Sequence, residues 1–388
     1  MLRRTYKRIL DRVYSILLIG ILCLSLFPFS SLAETDIFGL NGPFDGDGWS
    51  LTAEKTLTLE SNQGWWNAMK HGFSAHVEKL IIGRELTDFR LYFLPYELPS
   101  PDFFYDVEAA GYHKDGEPYY DYFGTAEIYP QVIEVEVGNP VFYVTGGLLI
   151  NKATSELVLS EMGVADVVIP EGVKTITREA FSQREVQSVQ FPSSLETVGE
   201  SAFSDCVNLG EIVLPDSLME LQSGAFSGCK SLQDVSLPSG LQVLDVYAFS
   251  GSAIQYIKIP ESLEEIEAYV FSDCDQLQEV LLPSKLKKIK HGAFYGCDQL
   301  NMINVPNGIE FIGEYAFSNC YNLKRVILPD SLQQIGDRVF WCCDLSVLQI
   351  PSKLAFPVFS EKKGAYILNA HTKRNKSFEL SSVDTVIL

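Results

Sequence analysis

The chain has 388 residues, a formal net charge of -20 at pH 7 and eight cysteines. Such negative charge disfavours nucleic acids and anionic lipids as partners, because both are bound through positive charge. A chain of this length usually forms two domains, unless its core grows along one axis, as in a repeat stack.

Residues 1–33 have the three parts of a secretory signal. Basic residues from Arg3 to Arg12 precede an apolar stretch at 16–29, and small residues end at Ala33. The apolar stretch is shorter than the roughly 20 residues that a membrane span needs, which favours a cleaved signal over an uncleaved anchor. The sequence predicts an exported protein, secreted or held at the cell surface, with a net charge of about -24 after cleavage.

The segment 90–132 has a different composition from the chain that follows it. Phe and Tyr are mixed there with Asp and Glu, in a loop long enough to be either functional or a packed flap. Rings beside carboxylates suit stacking on sugars, which predicts a glycan site. Alternatively, the rings cover the open end of a stack. The candidate glycan-binding residues are Phe104, Tyr105, Tyr119, Tyr120 and Tyr122.

From about residue 165 to 356, one pattern recurs every 22 or 23 residues. A proline closes a short apolar run in each copy, at Pro170, Pro192, Pro215, Pro238, Pro260, Pro283, Pro306, Pro329 and Pro351. A Phe preceded by Ala or Val keeps the same period, at Phe181, Phe203, Phe226, Phe249, Phe271, Phe294, Phe317 and Phe340. A period of about 20 to 29 residues is typical of a stacked solenoid.

Within one copy, Ile212 and Leu214 alternate with exposed positions, which predicts a short strand. Pro215 ends the strand because it has no N–H group to donate. Apolar residues three and six positions after each proline, such as Leu218 and Leu221, predict one α-helical or 3-10 turn facing the core. The repeat Phe is predicted to be buried between coils.

These units predict an α/β solenoid: a right-handed stack with short parallel strands on the concave face and short α or 3-10 turns on the convex face. The pattern resembles the BspA-like leucine-rich repeat family, as in I-G-E-Y-A-F-S-N-C at 312–320 and V-I-L-P-D-S-L at 326–332. The resemblance implies extracellular binding or adhesion and carries over no catalytic residues.

The domain organisation follows from the repeats and the resemblance. The repeat domain is predicted at 133–356, and similarity to the family extends upstream to a hairpin at 135–159 and a cap that includes Trp49. We therefore expect an N-terminal cap and first irregular repeat at 34–89, and a C-terminal cap at 357–388, since terminal units of a solenoid need a distinct cap.

Seven cysteines follow the signal. Five of them, Cys206, Cys229, Cys274, Cys297 and Cys320, lie three residues after a repeat Phe, as does Cys343 when it is counted from Phe340. An odd number leaves at least one thiol unpaired in a monomer. Equivalent positions in adjacent coils lie about 4.8 Å apart with parallel side chains, a poor geometry for a disulfide. A ladder of buried thiols is therefore favoured over disulfides, and a straight file of ligands does not suit a tetrahedral metal. Cys342 and Cys343 compete for the last ladder position.

The solvent-facing side of the strands is the predicted binding surface. Several side chains there are more apolar than a solvated sheet requires, and exposed apolar patches tend to mark partner sites. The alternative is that apolar residues suit strands and bind nothing. The predicted partner-binding residues are Val213, Tyr256, Lys258, Leu281, Met302, Asn304, Arg325 and Ile327.

Neither a catalytic motif nor a convincing metal motif is present in the sequence. The five histidines are scattered, without an H-E-x-x-H or G-x-S-x-G pattern. The run at 45–48 resembles the start of a calcium loop, but Trp49 and Thr56 occupy later ligand positions. We therefore expect a non-catalytic monomer without cofactor or metal, which binds a protein on a host or neighbouring cell, or alternatively a glycan.

Overall fold

The computed structural model describes residues 44–46, 49–52, 55–63, 77–89 and 129–351, and the strands at 357–360, 365–368 and 382–387. The predicted signal at 1–33 and nearly all of the segment 90–132 lie outside the described residues. Within the described ranges, no helix is long and apolar enough to cross a bilayer.

Five strands form a sheet before the repeats. They are β1 (Phe44–Gly46), β2 (Trp49–Leu51), β3 (Thr56–Ser61), β4 (Lys79–Glu85) and β5 (Val132–Val135), in that spatial order. The pairs β1–β2 and β2–β3 are antiparallel, and β3–β4 and β4–β5 are parallel. Leu57, Leu59, Leu80 and Ile82 are fully buried and form the centre of a first core.

A three-stranded antiparallel unit connects this sheet with the repeats. It consists of β6 (Phe142–Thr145), β7 (Leu148–Asn151) and β8 (Glu156–Ser160), within the segment that resembles a family hairpin. Both faces of β7 are buried: Leu148 and Ile150 belong to the core of the repeats, and Leu149 belongs to the first core. The unit is therefore the wall between the two cores.

Each repeat then contributes one strand to each of two parallel rows. Row 1 precedes the prolines and contains β9 (Asp166–Val168), β11 (Ser188–Gln190), β13 (Glu211–Val213), β15 (Asp234–Ser236), β17 (Tyr256–Lys258), β19 (Glu279–Leu281), β21 (Met302–Ile303), β23 (Arg325–Ile327) and β25 (Asp344–Gln349). Row 2 follows the prolines and contains β10 (Thr175–Ile176), β12 (Thr197–Val198), β14 (Glu220–Leu221), β16 (Val243–Leu244), β18 (Glu265–Ile266), β20 (Lys288–Ile289), β22 (Phe311–Ile312) and β24 (Gln334–Ile335). The predicted solenoid of stacked parallel strands is confirmed.

The helical part of the prediction is not confirmed, because the described repeats form strands and turns. After Pro215, the Leu218 N–H donates to the Pro215 carbonyl at 3.0 Å, and the chain then extends so that Leu221 pairs with Leu244 in row 2. A spacing of three apolar residues fits this turn and strand as well as it fits a helical turn.

The turn around each repeat Phe is also not helical. The residues two before and two after each Phe have positive φ, for example Tyr269 at 58° and Asp273 at 56° around Phe271. Each of these turns thus has two left-handed residues four positions apart, and these interrupt any right-handed helix. The α/β class is therefore corrected to an all-β solenoid in the described repeats.

The backbone N–H groups of these turns alternate between local and inter-coil acceptors. The Phe203 N–H donates to Ala225 O in the next coil at 2.8 Å, whereas the Ser204 N–H donates to Ser201 O in its own turn at 3.0 Å. An α-helix would use these groups within its own turns. We call the inter-coil bonds made at each repeat Phe, and at the residues two before and two after it, the turn ladder.

The eight repeat Phe rings form one continuous stack. Neighbouring ring centroids are 4.7–5.9 Å apart and the ring planes lie within 9° of parallel. Each ring is at most 1% exposed, as the sequence predicts. The Ala or Val before each Phe is buried as well, so the stack is the centre of the second core.

A ladder of buried thiols runs beside the rings. Cys206, Cys229, Cys274, Cys297, Cys320 and Cys343 each donate to the carbonyl of the Phe in the preceding coil, with Sγ–O distances of 2.9–3.2 Å. None of the seven cysteines from Cys206 onward forms a disulfide, and Cys343, not Cys342, takes the ladder position. Burial raises the pKa of the Cys206 and Cys274 thiols to about 12, which keeps them protonated and poorly reactive.

Arg184 occupies the cysteine position of the first coil. It is 2% exposed, and its Nη1 and Nη2 atoms donate to Ser182 O at 3.2 Å and Ser160 O at 3.4 Å. Its guanidinium lies 4.9 Å from the centre of the Tyr129 ring. Burial lowers the pKa of Arg184 to about 10. The Arg184 side chain is longer than that of cysteine and thus reaches the β6–β8 unit. This unit precedes the first coil and has no repeat Phe whose carbonyl could accept a hydrogen bond.

Three further strands follow the repeats. A hairpin consists of β26 (Pro357–Ser360) and β27 (Ala365–Leu368), and β28 (Ser382–Ile387) pairs in parallel with β25. Row 1 therefore continues beyond the last repeat by one strand. The assignment of 357–388 as a cap remains a prediction.

Replacing Phe226 by Ala is expected to destabilise the protein by about 3–5 kcal/mol, because the stacked neighbours cannot close the gap without breaking the coil spacing. Urea unfolding followed by circular dichroism measures this change. Val213→Ala, at a position that is 70% exposed, is the control and should change stability by less than about 0.5 kcal/mol. Equal midpoints for the two variants would contradict a structural role for the stack.

Thiol titration tests the ladder. In native protein lacking residues 1–33, we expect an aromatic disulfide reagent to modify Cys342, the one half-exposed thiol among the seven, while the six ladder thiols stay protected. All seven should react in concentrated guanidinium chloride. Fewer than seven reactive thiols after unfolding without reductant would show that disulfides had formed.

Candidate functional site

Row 1 presents two columns of side chains to solvent. The central residue of each strand points into the core and its two neighbours point outward, because successive strand side chains alternate. In β13, for example, Ile212 is buried between exposed Glu211 and Val213. We call the surface formed by these outward side chains, from β9 to β25, the strand face.

All eight predicted partner-binding residues are exposed on the strand face. The apolar ones include Val213 at 70%, Met302 at 46% and Ile327 at 41% exposure. Lys258 lies opposite Leu281, and Met302 lies opposite Arg325, in neighbouring strands. The cations Lys258 and Arg325 thus lie in the C-terminal half of the face, beside apolar side chains and the carboxylate of Glu279, whereas the N-terminal half up to β15 carries Asp166, Glu211 and Asp234.

A groove of about 620 Å³ opens where these two halves meet. We call it the seam groove, and its lining residues are Glu211, Ile212, Val213, Asp234, Val235, Ser236, Leu237, Ser239, Tyr256, Lys258, Pro260 and Glu261. Three of the predicted residues, Val213, Tyr256 and Lys258, come together in it, and the other five lie outside. Its volume is within the range of ligand-binding clefts.

The groove exists because both rows are interrupted at this junction. In the described structure, β15 and β17 are edge strands of separate sheets, as are β16 and β18. The Gln255 N–H reaches Gln233 O at 3.4 Å, a long hydrogen bond. The turn ladder nevertheless continues, since the Phe249 N–H donates to Val270 O at 2.9 Å. The coils are thus joined at the Phe side, whereas their strands lie side by side without ladder pairing, and we call this junction the seam.

The length of the connecting turn does not by itself explain the seam. The connection after Phe249 is one residue shorter than in most copies, but so are those after Phe181 and Phe340. At those two junctions, β9 pairs with β11 and β23 pairs with β25 over three residues or more. A shortened copy in the sequence therefore does not predict a seam, because two of the three shortened copies have paired strands.

A second groove, of about 370 Å³, opens on the row 2 side of the seam. Its walls include Asp245, Glu264, Glu265 and Glu267. Lys290 approaches Glu265 at 2.9 Å and Glu267 at 2.5 Å, and hydrogen bonds from Lys288 and Lys290 lower the pKa of Glu265. Lysines of the protein thus neutralise Glu265 and Glu267 in this second groove. The seam groove is therefore the better candidate for binding a partner.

The structure also reveals an aromatic row that sequence reasoning missed. Tyr247 and Tyr269 stack at 4.9 Å, and His291 and Tyr315 continue the row at 5.1 and 5.6 Å. Arg338 ends it, with Nη1 donating to the Tyr315 hydroxyl at 2.7 Å. Aligning the copies two residues before each Phe would have shown Tyr247, Tyr269, Tyr315 and Arg338, whereas His291 lies one position earlier in its copy, next to Gly292. Tyr247 and Tyr269 are parallel to within 2°, whereas the His291 ring is tilted by 55° and 59° against Tyr269 and Tyr315.

The candidate glycan-binding residues Phe104, Tyr105, Tyr119, Tyr120 and Tyr122 lie outside the described residues. Among those that are described, no group of three or more His, Cys, Asp or Glu side chains is placed to hold a metal ion.

A comparison with protein-family models finds a match over most of the repeats. The model of the BspA type leucine rich repeat region matches residues 158–278 and 244–356, in six copies. Together these ranges cover more than half of the chain. The chain belongs to the BspA-type leucine-rich repeat family. No curated protein matches it.

Solved structures of bacterial leucine-rich repeat proteins are similar to this BspA-type protein. One from Bacteroides ovatus is 29% identical, with 55% of this chain and 63% of that chain covered and a TM-score of 0.43. The T. pallidum leucine-rich repeat protein is 32% identical, with 43% and 82% covered and a TM-score of 0.41. The pneumococcal vaccine antigen PcpA is 15% identical, with 80% and 82% covered and a TM-score of 0.42. The chain thus spans less than two thirds of the Bacteroides ovatus protein.

Hydrogen exchange tests the seam. Amides in 234–236 and 256–258 should exchange faster than those in 211–213 and 279–281, because edge strands have main-chain groups without a neighbouring strand. Mass spectrometry of peptic fragments measures the difference. Fragments around Phe249 and Phe271 serve as the control and should be as protected as other turns. Equal protection in all four strand segments would show that β15 and β17 pair in solution.

Proposed function

We propose that this protein is an exported, non-catalytic binding protein that recognises a protein on a host or neighbouring cell through the strand face. Export is supported by the signal-like segment 1–33, whose basic, apolar and small-residue parts occur in the required order. The BspA-type repeats agree with this role, since the resemblance to that family implies extracellular binding or adhesion.

The observation that carries the proposal is the exposure of apolar side chains at fixed positions on row 1. Val213, Leu281, Met302 and Ile327 are 37–70% exposed, although each strand is anchored by a buried central residue. Side chains on paired strands are already ordered, so this protein loses less conformational entropy when they bind a partner. Apolar side chains that stay exposed on a rigid sheet are typical of a contact surface.

The polar residues of the strand face suit the same role. Tyr256, Met302 and Arg325 belong to residue types that are enriched in protein interfaces, and Lys258 and Arg325 lie among the apolar side chains. Because the cations Lys258 and Arg325 lie in the C-terminal half of the face and the half up to β15 carries carboxylates, a partner with the complementary order of charges would be favoured in one orientation.

Changing Val213, Leu281 and Ile327 together to Lys tests the strand face. The triple variant should capture less partner from surface extracts of host or neighbouring cells, because three desolvated apolar contacts become charged. Pull-down followed by mass spectrometry, with the purified wild-type protein in parallel, measures the loss.

The control is Gln276→Lys, Gln299→Lys and Gln333→Lys. These three residues are exposed outside the strand face, and the variant has the same change of charge. Partners captured by the wild type and by this control but not by the V213K/L281K/I327K variant would support the proposal. Undiminished capture by the V213K/L281K/I327K variant would refute the strand face as the site.

A further inference from the structure

We infer that the seam groove is the docking site for an arginine side chain that a protein partner presents on its surface, with the guanidinium group on the Tyr256 ring and beside the neighbouring carboxylates. This inference rests on the proposed function, because the groove opens on the strand face. It adds the side chain that the partner brings to the groove. The partner lies on top of β15 and β17, and the two strands stay side by side.

The first argument is the shape of the groove. In β15, the short Ser236 side chain lies next to exposed Val213 of β13, and the longer Lys258 side chain has the matching position in β17. In the same way, Asp234 is followed by the larger Tyr256. The depression of about 620 Å³ is therefore lined by longer side chains on both sides of β15. It opens to solvent on the strand face, so a side chain of a partner enters it from above.

The second argument is the order of side chains in one outward column of the strand face. Glu211, Asp234, Tyr256 and Glu279 have the same position in four successive strands, and all four are exposed. Glu211 lies opposite Asp234, and Tyr256 lies opposite Glu279. Neighbouring positions in such a column are about 4.8 Å apart. One aromatic ring thus lies between carboxylates, all within reach of a single planar cation.

The third argument is that the chain itself supplies no cation to this column. None of its three carboxylates forms an ion pair with another described residue. Elsewhere a lysine of the neighbouring coil does so: Lys174 lies 2.7 Å from Glu196, and Lys288 lies 2.6 Å from Glu265. Like charges on neighbouring strands repel each other, so a cation that binds in the groove relieves this repulsion.

Arginine fits these groups better than lysine does. Its guanidinium group is planar, stacks on aromatic faces and forms paired hydrogen bonds with a carboxylate, whereas the lysine ammonium group is a strongly hydrated point charge. A cation over the face of Tyr256 is attracted by the ring, and the apolar stem of arginine can pack on Val213, which is 70% exposed.

Lys258 restricts where the cation lies. It is the one cation among the described residues that line the groove, and it belongs to the other outward column, opposite Leu281. Its charge repels a second cation in that column, which directs the guanidinium group towards Tyr256 and Asp234.

A pentapeptide with a central arginine tests the inference. The peptide has the order glycine, valine, arginine, valine, glycine, with blocked ends and a neutral fluorophore. Fluorescence anisotropy at low ionic strength, where charge screening is weak, should show saturable binding to the purified full chain. The citrulline version keeps the shape of the side chain without its charge and should bind at least about tenfold more weakly. The lysine version keeps the charge without the planar group and should bind about threefold more weakly.

Variants of the protein locate the arginine. Tyr256→Leu should weaken the arginine peptide about threefold and remove its advantage over the lysine version, whereas Tyr256→Phe should bind like the wild type. Asp234→Asn should also weaken it about threefold. The matched control is Asp166→Asn, in the same column, where the Ser188 hydroxyl donates to the carboxylate at 2.6 Å; it should bind like the wild type. Lys258→Gln should strengthen binding, because it removes a repulsion. Urea midpoints verify that each variant is folded.

Several results would overturn the inference. These are no saturable binding of the arginine peptide, equal binding of the citrulline or lysine version, or equal weakening by Asp234→Asn and Asp166→Asn. A dimer in sedimentation that the arginine peptide dissociates would place a second copy of this chain in the groove instead of a foreign partner. Met302→Ser with Ile327→Ser, both outside the groove, should reduce partner capture without changing peptide binding, so failure of the strand face and failure of the groove can be told apart.

Discussion

The structure depends on the contact that each repeat Phe makes with the next coil. Its N–H group donates to the carbonyl of the next Ala or Val, and its ring stacks on the next ring at 4.7–5.9 Å. These distances match the spacing of about 4.8 Å between strands in a sheet, so the stack sets the coils at the distance at which both rows can pair. Because this contact persists at the seam where both rows are interrupted, it holds the coils together there without ladder pairing of the strands.

Much of this arrangement could be predicted from the sequence because equivalent positions in successive copies have the same environment. The period, the buried Phe, the thiol ladder and the alternation around Ile212 follow from residue types alone. Row 2 could not be predicted, since the spacing of Leu218 and Leu221 fits a turn and strand as well as a helical turn. Nor could the left-handed turns, because Tyr247, Tyr269 and Arg338 occupy positive φ positions that residue preference would assign to Gly or Asn.

The candidate site was predictable in part, for a related reason. Exposure on the strand face follows from alternation, so Val213, Tyr256 and Lys258 could be named from the sequence. Their convergence in one groove depends on the missing pairing between β15 and β17. The shortened connection after Phe249 does not reveal it, because the shortened connections after Phe181 and Phe340 accompany full pairing. The same uncertainty of register left Cys342 and Cys343 unresolved until the backbone placed Cys343 in the ladder.

The seam links stability with binding. In a linear stack, each coil is stabilised by its own packing and by its interfaces with its two neighbours, so the interface that lacks both strand rows is the weakest of those between β9 and β25. A partner that binds the folded strand face and not the unfolded chain stabilises the protein in proportion to the logarithm of its concentration above Kd. The seam groove opens on the strand face at this weakest interface, so a partner that binds there would contact both of the coils whose strands do not pair.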